Sequence, residues 1–363
     1  MNLDELIAAP QFSLTQAAKE RHLLAQMREL VEHHRHSSPA YARILASVGA
    51  PDSVESLASV PYLPVGLFKS HLLSSVPEAE VFKTMTSSGT TGQQVSRVIL
   101  DRVTAQRQSR ALASIMTHVL GPQRLPMIVV DTPNVVKDRE TFSARGAGVL
   151  GMLSYGRKHF YALDDNMTLD HDGLAAFLRL HSGEPVLIFG FTFMLWQHFL
   201  RKLAPGEADL SNAILIHSGG WKKLVEEAVG NAEFKRAFHE RTGIARIHNF
   251  YGMVEQVGSV FMEGADGYLH PPNFAEVIIR NPRTWAPTPD GEVGVIQVLS
   301  ALPTSYPGHS ILTEDLGLIH GVGEPSFTSW GGKRLEVIGR VPRAELRGCS
   351  DTHAAELDTQ LNA

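Results

Sequence analysis

After Pro61 the sequence alternates between short apolar runs and longer amphipathic stretches, and this alternation strongly limits the possible folds. Six apolar runs are predicted strands: 127–130, 186–189, 213–216, 245–250, 275–280 and 294–300. The stretches 104–118, 171–181, 193–203 and 222–241 are predicted helices. Such alternation is typical of α/β proteins, in which helices cover the sheets. We therefore predict an α/β fold with helix-covered sheets and a smaller β-rich part.

The sequence also suggests a division along the chain. An N-terminal helical segment is expected over 1–60 and the main domain over 61–340, with a β-rich subdomain at 275–340 and an arm at 341–363. In the first segment, 13–36 is a predicted amphipathic helix, with Ser13 and Gln16 as a possible capping box. Its end, residues 33–36, is interpreted as a solvated terminus rather than a metal site, because cations suit a helix C-terminus.

Composition narrows the class of protein. The chain of 363 residues has a net charge of −5, and it contains no basic run that would favour a nucleic-acid partner. One cysteine excludes internal disulfides and suits a reducing compartment. Neither a secretory leader nor an apolar run of membrane-spanning length is visible. A cytoplasmic protein without a membrane span is expected.

Small and polar residues follow three of the predicted strands. The first strand leads into Phe191 and Thr192, the second into His217 and a Ser-Gly-Gly-Trp run at 218–221, and the third into Tyr251. Ligands of α/β proteins gather beyond the carboxyl ends of strands, so these segments are expected to share a site. His217 either borders that site or is a satisfied core histidine. The aromatic residues near the first strand end either line a substrate pocket or fill the core: Phe189, Phe191, Phe193 and Trp196.

The run Thr86-Ser87-Ser88-Gly89-Thr90-Thr91-Gly92 is the strongest local motif. Its glycines permit close backbone approach, and its hydroxyls and N–H groups can surround phosphate oxygens. It is not a Walker A loop, because that spacing and the following lysine are missing. Taken alone, the run is also compatible with a plain flexible loop.

Together with four later segments, this run resembles the adenylate-forming superfamily, which includes the acyl-CoA synthetases. The four segments follow in that superfamily's order: Ser218-Gly219-Gly220-Trp221, Tyr251-Gly252-Met253-Val254-Glu255, Thr313-Glu314-Asp315-Leu316-Gly317 and Gly339-Arg340. The resemblance implies ATP and Mg²⁺ as cofactors. It implies that the Ser-Gly-Gly segment holds adenine with Tyr251 and Gly252 beside it, that Glu255 ligates magnesium, and that Asp315 and Arg340 contact the ribose. Thr90 and Thr91, with Ser87, Ser88, Gly89 and Gly92, would bind phosphates.

Further segments are similar to the acyl-protein synthetases of bacterial bioluminescence, the LuxE family. They are Pro61–Lys69, Phe189–Phe193, His217–Lys222, Tyr306–Ser310 and Arg347–Ser350. In that family a fatty acid is adenylated and then transferred to a cysteine near the C-terminus, and an acyl-CoA-reductase-like partner reduces the thioester. The resemblance thus implies that Cys349, otherwise readable as a small apolar filler, carries the acyl group. Thr192, His217 and Trp221 are weaker candidates for the substrate pocket. Pro307-Gly308-His309 is interpreted as a structural turn.

The chain departs from typical adenylating enzymes in two places. Gln93-Gln94-Val95-Ser96 stands where a lysine commonly follows the phosphate loop, and only 14 residues follow Cys349, so the usual C-terminal domain is not expected. Lys222 and Lys223 are candidate replacement cations, or solvated residues at a helix start. A CoA ligase similar to phenylacetate-CoA ligases and a non-catalytic nucleotide-binding regulator remain alternatives. The acid, whether fatty or aryl, cannot be read from residue types.

Overall fold

The computed structural model describes residues 1–87, 95–136, 144–220, 229–326 and 329–341. Within these ranges the chain forms two compact units, one built from 1–118 and 251–341, the other from 119–250. The division at residues 60 and 340 that the sequence suggests stays a prediction.

Helices and strands alternate as expected in an α/β fold. The helices are α1 Leu3–Ala8, α2 Gln16–Ser37, α3 Pro39–Ser47, α4 Leu67–Ser70, α5 Arg102–Leu120, α6 Ala144–Leu153, α7 His171–Leu180, α8 Thr192–Met194 and α9 Asn231–Thr242. The strands are β1 Leu63–Pro64, β2 Lys83–Thr86, β3 Arg97–Leu100, β4 Leu125–Val129, β5 Gly156–Tyr161, β6 Val186–Phe191, β7 Ala213–Ser218, β8 Arg246–Tyr251, β9 Phe261–Glu263, β10 Leu269–His270, β11 Ala275–Arg280, β12 Gly294–Ser300, β13 Ser310–Gly323 and β14 Gly332–Arg340. All six predicted strands are confirmed.

The 119–250 unit contains a parallel sheet with the order β5-β4-β6-β7-β8. Its central strands are mostly apolar and buried, as is typical of parallel sheets; Ile128, Ile188 and Leu215 are fully buried. Since β6, β7 and β8 are parallel neighbours, their carboxyl ends meet at one edge. The predicted convergence of these strand ends is therefore present.

The other unit contains a mainly antiparallel sheet. Strands β11 to β14 follow one another as a meander, and β10 and β9 continue the sheet beyond β14. The short β1 joins β13 in parallel, while β2 and β3 form a separate hairpin. The shift towards strands with Pro and Gly turns, visible in the sequence after residue 275, corresponds to this meander.

A buried ionic cluster attaches α2 to the meander. Lys19 and Glu276 are 2% and 0% exposed, with 3.8 Å between Nζ and Oε2. Lys19 Nζ also donates to the Pro271 carbonyl (3.0 Å), and burial lowers its pKa to about 8. Burial alone would raise the pKa of Glu276, but Lys19 and Lys333 beside it hold that pKa below its ordinary value. The pair fixes where the N-terminal helix lies, because either charge alone would be costly to bury.

Three sequence interpretations need correction in the helices. Thr15, not Ser13, caps α2, because the Ser13 hydroxyl donates to the Pro10 carbonyl. The stretch 192–202 is not one regular helix; a π-helical turn over Leu195–Phe199 interrupts it. The end of α2 is not uniformly solvated, because His34 is fully buried. None of the helices in the described part of the chain combines the length and apolar character that a bilayer crossing requires.

His34 belongs to a buried aromatic layer with Tyr41 and His309. The two imidazoles stack with 4.9 Å between ring centroids, and the Tyr41 hydroxyl lies 3.3 Å from His309 Nε2. His34 is also hydrogen-bonded to the Ser75 hydroxyl (2.7 Å). Burial lowers the pKa of His309 to about 3 and that of His34 well below its ordinary value. Both rings are therefore neutral in the folded protein near neutral pH.

This layer should make the protein sensitive to acid. The unfolded chain protonates these histidines near pH 6.5 whereas the folded chain does not, so stability present above about pH 6.5 is lost as the pH falls. Between pH 7.5 and 5.5 each histidine should cost about 1 kcal/mol. Urea unfolding at both pH values should show a smaller acid loss for His309→Gln than for the wild type. An equal loss of stability in His309→Gln and in the wild type would show that His309 does not cause the acid sensitivity.

Candidate nucleotide and acyl site

The end of β7 forms a tight turn at Ser218 and Gly219. Gly219 has a φ of +85°, a conformation that side chains disfavour, which explains glycine at this position. The Ser218 hydroxyl donates to the carbonyl oxygen of Phe250, the residue before Tyr251 in the chain (2.9 Å). The turn that the resemblance implies for adenine is thus tied to the neighbouring strand β8.

A second hydrogen-bond chain supports the same turn. The Thr192 hydroxyl donates to the Ser218 carbonyl (3.3 Å) and is also hydrogen-bonded to His217 Nδ1 (3.0 Å). Because that hydroxyl has one proton, His217 must donate through Nδ1, so Nε2 is the unprotonated nitrogen. Burial lowers the pKa of His217 to about 3, and within the described ranges Nε2 has no hydrogen-bond partner. His217 is therefore a buried, neutral residue that orients Thr192.

Phe191 lies against the same turn. A Cβ placed on Gly148 of α6 would lie 2.9 Å from its ring, and one on Gly219 would lie 3.2 Å from it. Both glycines therefore make room for the aromatic ring. Phe189 is fully buried, which favours the core interpretation for that residue, whereas Phe191, Phe193 and Trp196 are partly buried and pack on the core.

The predicted phosphate loop begins and ends at a reciprocal hydrogen-bond pair between Ser87 and Ser96. The Ser87 N–H donates to the Ser96 carbonyl (3.1 Å), and the Ser96 N–H donates to the Ser87 hydroxyl oxygen (2.9 Å). This pair continues the β2–β3 hairpin, in which Thr86 faces Arg97. Of the loop's predicted phosphate contacts, Ser87 is described, whereas Ser88, Gly89, Thr90, Thr91 and Gly92 lie outside the described residues.

Glu255 is a buried acid in a 3₁₀ turn, Val254–Gln256, and is 2% exposed. Burial raises the pKa of its carboxyl, the Ser96 hydroxyl beside it has the opposite effect, and Glu314 and Asp315 raise it further. Within the described ranges, Oε1 of Glu255 has no hydrogen-bond partner. A buried acceptor of this kind, with acidic neighbours, fits a cation.

Asp315 is held between Tyr251 and Arg340. The Tyr251 hydroxyl donates to Asp315 Oδ2 (2.7 Å), and Arg340 Nε lies 3.8 Å from Oδ1. The second contact follows from the sheet, because Asp315 and Arg340 are register partners on β13 and β14. Arg340 also donates to Glu314 (2.5 Å). Burial raises the pKa of Asp315, and the Tyr251 hydroxyl and Arg340 oppose that rise.

The carboxylates described above can be compared with the ligands that the predicted magnesium ion would take. No cluster of three metal-ligating side chains occurs in the described ranges. Mg²⁺ characteristically takes one or two protein carboxylates and completes its shell with phosphate oxygens and water. The free Oε1 of Glu255 fits that pattern, so the residues present suit a magnesium ion carried with a nucleotide.

The LuxE family, described as "Acyl-protein synthetase, LuxE", matches residues 2–358. The chain belongs to this family. It is therefore an enzyme of the ligase class. It is 22% identical over 331 residues to the long-chain-fatty-acid--luciferin-component ligase of Aliivibrio fischeri, covering 89% of this chain and 85% of that protein. The Vibrio harveyi protein of the same name is 24% identical over 329 residues, covering 88% and 84%.

Solved structures give the fold of this LuxE-family chain. A 2-hydroxyisobutyryl-CoA ligase with 2-HIB-AMP matches with a TM-score of 0.67 and 16% identity, covering 96% of this chain and 74% of that one. An open conformation of the same ligase, with 2-HIB-AMP and CoA, matches with a TM-score of 0.66 and 18% identity, covering 96% and 81%. At this identity the likeness shows the fold, which is that of adenylate-forming ligases.

Several predicted site residues are not tested by these observations. Trp221, Lys222, Lys223 and Cys349 lie outside the described residues. The nucleotide roles of Ser218, Gly219, Gly220, Gly252 and the other residues above stay predictions. The position of Ser96 beside Glu255 was not predicted, because a single serine after the loop has no distinctive pattern. Tyr306 was noted only as part of the segment that is similar to the LuxE family.

Thr192 provides a direct test of the turn's support. Thr192→Val keeps the shape but removes the hydroxyl's hydrogen bonds to the Ser218 carbonyl and His217 Nδ1, which should lower the free energy of unfolding by about 1–3 kcal/mol. Thr192→Ser retains the hydroxyl and should recover most of that loss. Urea unfolding of the two variants measures the difference. Equal stability of the valine and serine variants would show that the hydrogen bonds contribute nothing.

Proposed function

We propose that this chain activates a carboxylic acid of the fatty class as an acyl adenylate and then transfers the acyl group to Cys349. A carboxylate oxygen of the acid attacks the α-phosphorus of ATP, and pyrophosphate leaves. The Cys349 thiol then loses its proton to solvent, its sulfur forms a thioester with the acyl carbon, and AMP leaves. Membership of the LuxE family and the ligase names of both curated relatives support this proposal.

The observation that carries the proposal is the polar group around Asp315. Its carboxylate accepts from Tyr251 and faces Arg340, so it is oriented by two fixed partners and has lone pairs left for hydroxyl groups. That arrangement suits a ribose diol. Tyr251 would lie beside the base, and Ser218, Gly219 and Gly220 would contact the adenine.

Charge is the main obstacle to the first step, because two anions must meet. Mg²⁺, when bound, screens charge between the carboxylate and the phosphates. Glu255 would hold it through the unpartnered Oε1. Hydroxyl and N–H groups of residues 86–92 would stabilise the developing charge at the phosphorus, as preorganised donors do in other active sites. Arg340 remains close enough to Asp315 to contact the ribose as well.

The second step needs a strong acyl donor and a good nucleophile. An acyl adenylate is a strong acyl donor, and a thiolate is the best side-chain nucleophile near neutral pH. Cys349 is the single cysteine of the chain, so an enzyme-bound thioester has one candidate position. The product is a bound thioester, which we propose is delivered to a reductase-type partner protein that converts it to an aldehyde.

Intact-protein mass spectrometry tests the whole reaction. The wild type incubated with Mg-ATP and a panel of carboxylic acids should gain a hydroxylamine-labile mass, and Cys349→Ser should gain none. The added mass identifies the acid. The serine variant should still release AMP slowly or exchange pyrophosphate into ATP, because the first step does not use the thiol.

Three other outcomes would contradict the proposal in different ways. AMP release without an adduct, together with CoA-dependent turnover that survives Cys349→Ser, would identify a CoA ligase. Nucleotide binding without pyrophosphate exchange would identify a regulatory protein. Exchange that never depends on added acid would remove carboxylate activation itself.

A further inference from the structure

Pro307-Gly308-His309 is interpreted as a structural turn from the sequence, but in the structure this segment, with Tyr306, packs directly on the turn that carries Glu255. The Tyr306 hydroxyl donates to the main-chain carbonyl of Glu255 (2.9 Å). Gln256, the next residue, donates through Nε2 to the Gly308 carbonyl (2.8 Å) and to the Val298 carbonyl (3.2 Å). Two consecutive residues of the turn are therefore held by one short segment.

Gly308 shows how closely the two segments approach. A Cβ at this position would lie 2.2 Å from the Tyr306 ring and 2.9 Å from the Glu255 carbonyl oxygen. Both distances are shorter than real Cβ contacts, so any side chain would displace the ring or the turn. The glycine is needed for contact with Glu255, not for an unusual backbone angle.

Tyr306 is itself fixed in place. It is fully buried, and its hydroxyl also accepts a long hydrogen bond from Gln108 Nε2 (3.4 Å). Its ring packs edge-on against Phe68, with 6.2 Å between centroids. A rigid, buried donor is suited to hold one carbonyl in one position.

The orientation of the Glu255 carboxyl depends on these contacts of Tyr306 and Gly308 with the main chain of its turn. Its Oε1 has no hydrogen-bond partner within the described ranges, while the Ser96 hydroxyl and the main-chain N–H of Glu255 itself lie beside the carboxyl. The backbone of the turn therefore largely decides where the carboxylate points. We propose that Tyr306 is a positioning residue that, with Gly308, holds Glu255 in the orientation needed to bind the magnesium ion of Mg-ATP.

This inference rests on the proposed role of Glu255 in nucleotide binding, and it assigns no chemical step to Tyr306. It predicts a specific defect. Loss of the hydroxyl should weaken the gain in ATP affinity that Mg²⁺ provides, while ATP binding without the metal should change little. A residue that only stabilises the fold would weaken both equally.

Tyr41 offers a matched control. Tyr41 and Tyr306 are both fully buried, and each hydroxyl bonds within the same unit. The Tyr41 hydroxyl reaches His309, on the other side of the segment, and makes no bond to the Glu255 turn. Tyr41→Phe should therefore cost similar stability without changing the effect of the metal.

The experiment is calorimetric titration of ATP into the full chain, with Mg²⁺ and with EDTA, for the wild type, Tyr306→Phe, Tyr41→Phe and Glu255→Gln. The ratio of the two dissociation constants measures the metal effect. We expect this ratio to fall about two- to tenfold in Tyr306→Phe, the range that one hydrogen bond represents. It should be unchanged in Tyr41→Phe and lost in Glu255→Gln. Urea unfolding of each variant records its stability.

Each alternative result has a distinct meaning. If Glu255→Gln loses the metal effect but Tyr306→Phe keeps it, the positioning role is wrong and the proposed role of Glu255 stands. If Glu255→Gln keeps the metal effect, the role of Glu255 is wrong and the inference fails with it. Equal losses in the two tyrosine variants would show a general structural effect. Should Tyr306→Phe not fold, Gly308→Ala, which pushes on the same carbonyl, replaces it with the same expectation.

Discussion

The burial of Glu255 is a constraint on the unit formed by residues 1–118 and 251–341. A carboxyl group that is 2% exposed and has a free oxygen atom within the described chain is expensive unless a cation or donor reaches it. The Ser96 hydroxyl beside the carboxyl offsets part of this cost. Tyr306 and Gly308 hold the main chain of the turn. This buried acid lies at the position where we propose that a metal–nucleotide complex binds.

Several other buried polar groups have partners, and these partners connect elements of the fold. Lys19 and Glu276 join α2 to the meander, and the His34–His309 stack joins the end of α2 to the segment behind Glu255. In the 119–250 unit, Thr192 connects His217 to the Ser218 turn. Paired polar groups of this kind specify one arrangement of the elements around them.

Much of the fold could be predicted because its signals are local. The runs at 275–280 and 294–300 matched β11 and β12 to the residue, because both are rich in valine and isoleucine, which favour strands. The interrupted helix after Thr192 and the cap at Thr15 could not be predicted as readily. A π-helical turn has no distinctive composition. Ser13 and Thr15 are both good capping residues by type, and the sequence does not show that the Ser13 hydroxyl donates to the Pro10 carbonyl.

The sequence by itself determined the fold class and the approximate positions of six strands, because these follow from periodicity, while the nucleotide roles of the motif residues stay predictions. Only the tertiary structure decided which of those residues support one another. Tyr306 and Glu255 are 51 positions apart, and His34 and His309 are still farther apart, so no local pattern relates them. Their contacts depend on how β11 to β14 and α2 pack, which is a property of the assembled core.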